Sequence, residues 1–430
     1  MIFNFFKDKE KINILIKSTV IFYVFSAVLL LIYWISKSSL QVGDNDGYLT
    51  NFKIYLVEGF YESNIRGTTV VYYGVLKLFY DILGSVQYAF FTLNFISQFI
   101  ILSMGVVMIL KVKTRKEKIF NLIIVLLFFF RILILESYIK ASNDTFMGVF
   151  VVLIFYLLIF KITPNKRVKS VPFILLGLFL AICLGIRLPS VLLIPVIAVA
   201  IVLWGFKHKI TLSVFLKKVS LFIISFIVFT SIIHFPSLKE NGSLSFYDKN
   251  PKSGYNWSQR NYLGVMNLDK ENLKLSSGNI WVTKFEDVSK YILDNGEDSL
   301  PVNLYESVIM GPQLYLKLII SNLLYLLQWL IRFSGFLLLL PFIAFVINKK
   351  NVLKNIPLIL FCTFCLSLLL VLFSCLELRW FLGYEVLIYL AIAFSIKELT
   401  IGHMAKLKVV FIISLLVVTL LNIRGVLAII

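Results

Sequence analysis

Charged residues are scarce in this chain, and their scarcity excludes an ordinary soluble domain. Of its 430 residues, 15% are charged and 59% are hydrophobic, including 40 phenylalanines. A typical soluble domain has about 25% charged and about 45–50% apolar residues. A soluble fold could not cover so much apolar surface, so we expect lipid to be the solvent.

Cysteines are few and nucleotide-binding motifs are absent. The four cysteines, Cys183, Cys362, Cys365 and Cys375, lie within or at the ends of apolar runs, which is typical of small buried hydrophobic residues. They predict neither a disulfide framework nor a zinc site. The sequence contains no Walker or Gly-x-Gly-x-x-Gly phosphate motif, so an ATP-driven pump is not expected.

Long apolar runs predict an all-α polytopic membrane protein with about eleven transmembrane helices. The candidate spans are residues 12–35, 86–110, 119–135, 145–160, 171–186, 190–206, 219–235, 318–347, 356–373, 381–396 and 409–429. They divide the chain into a transmembrane module (1–235) with a first outer loop (36–85), a large extracytoplasmic loop (236–317) and C-terminal transmembrane helices (318–430).

The positive charges decide the predicted orientation. Lys and Arg number 42 against 23 acidic residues, but they alternate with apolar runs, so no nucleic-acid partner is expected. Every second connection is basic, and the positive-inside rule places these connections and the N-terminus in the cytoplasm. The first apolar run is long enough to span and lacks a small-residue cleavage site, which predicts an uncleaved first helix.

Two carboxylates stand just after the first span, in Gly43-Asp44-Asn45-Asp46-Gly47-Tyr48. Beyond them, residues 49–61 and 69–83 carry apolar side chains at helical spacing, which predicts amphipathic helices on the membrane surface. Asp44 and Asp46 are candidates for chemistry at the water–lipid boundary, or they are turn and helix-cap residues. A calcium-binding EF-hand is excluded because its sixth-position glycine and twelfth-position glutamate are missing.

An Asp-x-Asp after the first transmembrane helix, followed by an amphipathic outer loop, resembles the GT-C superfamily of membrane glycosyltransferases. Within it, the pattern is similar to the protein O-mannosyltransferases and the bacterial transferases that modify lipid A. Three further stretches resemble family motifs: Ala141-Ser142-Asn143-Asp144, residues 177–189 ending in Ile-Arg-Leu-Pro, and Arg379-Trp380-Phe381. The resemblance covers about the first 200 residues and the segment around Arg379, and leaves residues 236–317 without a counterpart.

The resemblance implies transfer of a sugar from a polyprenyl-phosphate donor to a glycan, lipid or protein acceptor outside a bacterial plasma (inner) membrane. Asp44 is then the expected general base for the acceptor hydroxyl. Asp46 orients the acceptor or, together with Asp44, holds a divalent cation through oxygen ligands. Asp144 is expected as a second catalytic carboxylate.

The leaving phosphate needs cations, and arginine binds phosphate oxygens in pairs. Arg187 and Arg379 are the candidates, with Glu136 and Tyr48 as further substrate-binding residues. For each of the charged residues a purely structural role stays open as an alternative. Arg187 can reach lipid headgroups, Arg379 can pair with its near neighbour in sequence Glu377, Glu136 can pair with Lys140, and Asp144 can cap a helix.

Charges inside the predicted spans need partners, because an unpaired arginine near mid-bilayer costs about 2.5–3.5 kcal/mol on insertion scales. Arg131, Arg332 and Glu385 are such charges. We expect each to face a partner or a cavity.

Two other functions compete with sugar transfer. A transporter or flippase for a lipid-linked substrate would place its charges along a path at mid-membrane depth. A polysaccharide polymerase or ligase would share the lipid carrier but depend on loop arginines and histidines. Most candidate charges gather at one outer boundary, which favours the transferase.

Overall fold

The computed structural model describes residues 45–67, 69–112, 118–134, 143–245, 255–347, 355–374, 376–398 and 404–427, and positions 14, 18, 21 and 25 of the first apolar run. These residues form helices and short connections without a β-strand. Asp44 and Glu136 lie outside the described residues. The all-α prediction is confirmed.

The first half of the described chain contains eight helices. They are α1 (Asn45–Ile65), α2 (Val70–Leu83), α3 (Val86–Lys111), α4 (Lys118–Ile134), α5 (Asn143–Tyr156), α6 (Val171–Ile186), α7 (Leu193–His208) and α8 (Leu212–Asn241). A π-helical turn extends α5 to Ile162, and a 3₁₀ turn at Leu188–Leu192 leads into α7.

The second half contains nine more. They are α9 (Trp257–Lys270), α10 (Ser277–Ile280), α11 (Phe285–Asn295), α12 (Leu304–Met310), α13 (Pro312–Ser334), α14 (Leu340–Ile347), α15 (Ile356–Ser367), α16 (Val386–Glu398) and α17 (Met404–Leu427).

Five helical stretches are long and apolar enough to cross a membrane. They are Val86–Lys111, Asn143–Ile162, Leu188–His208, Leu212–Asn241 and Pro312–Val346. Shorter apolar helices occupy Val171–Ile186, Ile356–Ser367, Val386–Ile396 and Ile413–Asn422. The chain is therefore built as a helical membrane protein, while the total of eleven spans stays a prediction.

The described residues of the predicted first outer loop form α1 and α2, so helices occur where the spacing of apolar residues predicted them. Their place on the membrane surface stays a prediction. Phe52 of α1 is fully buried and its ring contacts the rings of Tyr73, Tyr80 and Phe90. The backbone of α1 changes direction at Gly59, where φ is 76°, a value that favours glycine. Aromatic packing thus fixes the start of α1 against α2 and α3.

The described residues of the predicted loop 236–317 form a small helical domain. Helix α8 continues through Pro236 to Asn241 and α13 begins at Pro312, so both ends of this range are helical. Side chains of α9 and α11, among them Leu263, Val265 and Val288, form a second apolar core. Phe373, six residues after the end of α15, packs against this core.

Candidate functional site

A buried ion pair joins the start of α5 to the end of α6. Asp144 is the second residue of α5 and is fully buried. Arg187 follows α6 in extended conformation, and its Nη1 lies 2.7 Å from both Asp144 oxygens. The two ends meet because α5 and α6 run in opposite directions around a short connection. Only 17% of the Arg187 side chain is exposed. Its guanidinium therefore points to Asp144 rather than to lipid headgroups.

Arg379 reaches the same carboxylate from a distant part of the chain. It lies in the 3₁₀ turn Leu378–Phe381 between α15 and α16, and its Nε is 3.6 Å from Asp144 Oδ2. The same Nε donates to Glu377 Oε2, so Arg379 makes the pairing with Glu377 that stayed open as an alternative. Asp144 therefore lies between two guanidinium groups.

Tyr48 links the first outer loop to this cluster. Its hydroxyl donates to Asn143 Oδ1 at 2.8 Å, and Arg187 Nη1 lies 3.4 Å from the same oxygen. The Asn143 amide nitrogen donates to the carbonyl of Ile186 at 3.3 Å. The side-chain amide of Asn143 thus links the start of α1, the start of α5 and the end of α6.

Electrostatic interactions keep Arg187 ionised despite its burial. Desolvation is the largest effect and would lower the pKa of Arg187, but the interactions with Asp144, Tyr48 and Glu377 together outweigh it, and the pKa lies above its ordinary value. A buried ion costs several kcal/mol of desolvation, and paired charges offset this cost only at close range. The Arg187 guanidinium therefore keeps its positive charge inside the cluster.

Tyr72 was not predicted as part of this site. It is fully buried on α2, and burial first, then the neighbouring Tyr48, Tyr73 and Asp144, raise its pKa well above the ordinary value. Its hydroxyl has no hydrogen-bond partner among the described residues. Nothing in the sequence separates it from other tyrosines of this loop, because its position depends on how α2 packs against α5.

An apolar cavity of about 390 Å³ opens beside the Arg379 turn. Its wall includes Leu378 and Phe381, on either side of Arg379, together with residues of α13, α15 and α16. Leu324 and Leu327 of this wall are 62% and 49% exposed. The cavity is therefore bordered by apolar side chains exposed on the outside of the bundle.

The wall of this apolar cavity also holds a buried ion pair. Arg131 Nη2 lies 3.0 Å from Glu385 Oε1, and both side chains are almost fully buried. The Arg131 guanidinium also stacks 3.5 Å from the centre of the Phe333 ring. Arg332 donates to Asn422 Oδ1 at 2.6 Å. The expectation that these three charges have interior partners is confirmed.

The structure brings together Tyr48, Asp144, Arg187 and Arg379 of the predicted site. The prediction for Asp46 rests on a side chain that is not described, although its backbone lies in α1. Among the described residues no group of three or more His, Cys, Asp or Glu could hold a metal ion. The cation site at Asp44 and Asp46 stays a prediction.

Taken together, the cluster presents two arginines at one end of the helical bundle, next to an apolar cavity bordered by exposed leucines. Such an arrangement suits an anion attached to an apolar chain. Compared with protein-family models, with curated proteins and with solved structures, the chain matches none of them.

Proposed function

We propose that this chain is a membrane glycosyltransferase. It transfers a sugar from a polyprenyl-phosphate donor to an acceptor on the extracytoplasmic face, with Asp44 as general base. The observation that carries the proposal is the convergence of Arg187 and Arg379 on Asp144, next to the apolar cavity that Leu378 and Phe381 line.

Arg187 has donors to offer a phosphate. The hydrogen bonds of Arg187 to Asn143 and Asp144 all use Nη1, and a guanidinium has five N–H donors in a fixed fork. A carboxylate enclosed by two guanidinium groups is better suited to aligning them than to accepting a proton. Asp144 therefore acts as the residue that positions both arginines, and the leaving phosphate binds on their outer edge.

The apolar cavity accommodates the lipid part of the donor. Its wall is formed mainly by leucine and aromatic side chains, and the exposed Leu324, Leu327 and Leu369 border it on the lipid side. A prenyl chain could enter laterally while its phosphate stays at the Arg379 turn. The lipid thus holds the reacting carbon at the bundle end where the acceptor arrives from water.

The position of Tyr48 supports Asp44 as the base. Tyr48 is fixed at the cluster by its bond to Asn143, and Asp44 precedes it by four residues. This spacing in the sequence is the support for Asp44 as the base, and Asp46, between the two in the sequence, orients the acceptor or shares a divalent cation.

Purified protein assayed with a panel of polyprenyl-phosphate sugars tests this function. Asp44→Asn removes the base while keeping side-chain size, so turnover should fall about 10²- to 10⁴-fold, with donor binding unchanged. Asp81→Asn, at an exposed carboxylate of α2 paired with Lys77, is the matched control and should transfer sugar at the parent rate. If Asp44→Asn and Asp46→Asn both stay active, the mechanism is wrong.

The Arg131–Glu385 pair favours a second candidate, a flippase or transporter of a lipid-linked substrate. Intramembrane charges next to a cavity are a feature of transport pathways. A flippase would move the lipid between leaflets without breaking the bond between sugar and phosphate. Release of free polyprenyl phosphate by the purified protein would separate the two functions, because only the transferase produces it.

A further inference from the structure

A second cavity lies at the opposite end of the bundle from Asp144. The helix that starts at Asn143 continues to Ile162 over 20 residues, which corresponds to about 30 Å. The cavity that follows has a volume of about 540 Å³. Its wall is formed by Lys166, Arg167, Val168, Lys169, Trp204, Lys209, Ile210, Thr211, Val214 and Lys218. Five of these residues are cations, and none is a carboxylate.

The segment that carries three of these cations is held in place. The indole of Trp204, which is 1% exposed, donates to the carbonyl of Asn165 at 2.8 Å. The His208 ring contacts the carbonyl oxygen of Thr163 at 3.0 Å, and Lys218 Nζ donates to Ser170 Oγ at 3.1 Å. The cavity is therefore built into the connection between α5 and α6 before any ligand binds.

Electrostatics favours an anion in this cavity. Five like charges around one space repel each other, and a bound anion removes that repulsion. The 30-residue helix α8 begins at Leu212, next to Thr211 in the wall, and Thr211 makes no side-chain cap bond. The partial positive charge of this helix terminus adds to the attraction for an anion.

Apolar surface adjoins the cations on the outside of the bundle. Phe206 is 80% exposed, Leu212 71% and Leu216 52%, as expected of side chains that face lipid. Together with the cavity they offer a charged pocket bordered by an apolar surface. Inorganic anions use only the first of these two surfaces, whereas a phospholipid uses both.

We propose that this cavity binds the phosphate of an anionic phospholipid in the leaflet on the basic side of the protein. The headgroup phosphate contacts Lys166, Lys209 and Lys218, and the acyl chains cover the exposed side chains of α7 and α8. This site lies at the far end of the bundle from Asp144. It neither requires nor supports the proposed sugar transfer.

The test measures lipid binding to the full-length protein in detergent by native mass spectrometry, with dioleoylphosphatidylglycerol as probe. Lys166→Gln/Lys209→Gln should weaken binding about 30-fold, because each lysine near an anionic lipid contributes about fivefold. The matched control is Lys207→Gln/Lys217→Gln, which removes the same charge from two exposed neighbours outside the cavity wall. It should change binding less than threefold.

Two further arms make the outcome decisive. Lys166→Arg/Lys209→Arg, which keeps both charges, should restore lipid binding and so exclude misfolding as the cause. Equal losses in the cavity variant and its control would overturn the proposal, since binding would then follow net charge alone. Binding of inorganic phosphate or diphosphate that dioleoylphosphatidylglycerol does not displace would overturn the lipid assignment.

Discussion

Asp144 has no access to solvent, and it contacts arginines from two distant parts of the chain. Arg187→Ala should lower the free energy of unfolding by about 3–5 kcal/mol, because it leaves a buried carboxylate without its nearest counter-charge. Adding Asp144→Asn to this variant should recover part of the loss, since the remaining side chain is then neutral. Unfolding of the purified protein in detergent measures both effects.

An exposed ion pair provides the control for this cycle. Lys77 and Asp81 are 2.6 Å apart on α2, with 47% and 50% of their side chains exposed, so Lys77→Ala should cost less than about 1 kcal/mol. If the unfolding free energies lost by Arg187→Ala and by Asp144→Asn simply add in the double variant, the two buried side chains do not stabilise each other.

Arg379 offers a separate test of phosphate recognition. Arg379→Lys keeps the positive charge but loses the planar fork, so the KM for the polyprenyl-phosphate donor should rise about 10- to 150-fold, as expected for lost hydrogen bonds to a charged group. The KM for the acceptor should stay within about twofold. Steady-state kinetics with each substrate varied in turn distinguishes the two.

Arg66→Lys is the matched control for Arg379→Lys, because Arg66 pairs with Glu58 at 2.7 Å on a half-exposed surface. It should leave both KM values unchanged. If Arg379→Lys raises the acceptor KM as much as the donor KM, then Arg379 has only a structural role beside Glu377.

At the residue scale, the sequence predicts which charges need partners but not which partners they find. The cost of burying Arg131 and Glu385 requires each to be paired, yet no spacing rule connects residues 254 positions apart. Tyr48, Asp144, Arg187 and Arg379 were selected from short motifs and a family resemblance. Their convergence depends on how α5, α6 and the turn before α16 pack, which a local pattern does not encode.

Helices α3 to α7 lie close to the apolar runs that predicted them, because run length and helix geometry are linked by the bilayer thickness. Helix α8, Leu212–Asn241, is longer at both ends than its predicted run of residues 219–235. Two features at the scale of elements escaped prediction. The apolar run of residues 318–347 does not form one continuous α-helix, because α13 ends at Ser334. The next residue, Gly335, has a φ of 54° and packs against Ser414 of α17. Helices α9 to α12 were not predicted within residues 236–317, although Val288 and Ile292 of α11 have the spacing of an apolar helix face and are buried in the second core.

Packing of α6 on α8 depends on Gly177. A Cβ at this position would lie 2.5 Å from the carbonyl oxygen of Phe222 and 2.7 Å from the amide nitrogen of Phe226. Gly177→Ala should therefore push the two backbones apart and lower the free energy of unfolding by about 1–3 kcal/mol. The melting temperature in detergent measures this effect.

Gly278→Ala is the control, since a Cβ at this exposed glycine of α10 meets nothing within 4 Å. Its melting temperature should match the parent or rise slightly. A stable Gly177→Ala variant would mean that α6 and α8 do not pack as closely in the membrane.

At the scale of the whole molecule, the two ends of the bundle differ in chemistry. One end carries Asp144, Arg187, Arg379 and, through the contact of Phe373 with its core, the small helical domain. The other end carries the cavity lined by five cations. The alternation of basic and apolar segments along the sequence predicts that the two ends differ, because it depends only on the order of those segments. The number of membrane spans cannot be predicted in the same way, because it depends on where each helix lies relative to lipid.

This polarity predicts the orientation of the chain in the membrane. In a background with Cys183, Cys362, Cys365 and Cys375 replaced, a cysteine at Asn45 or Glu297 should react with a membrane-impermeant maleimide in intact cells. A cysteine at Lys116 or Lys207 should react only after the membrane is permeabilised. The reason is electrostatic, because Lys and Arg in short connections are retained on the cytoplasmic side during insertion. The reverse labelling would place Asp144 and its arginines in the cytoplasm, where sugar transfer to an external acceptor is impossible, and it would move the cationic cavity to the outer leaflet.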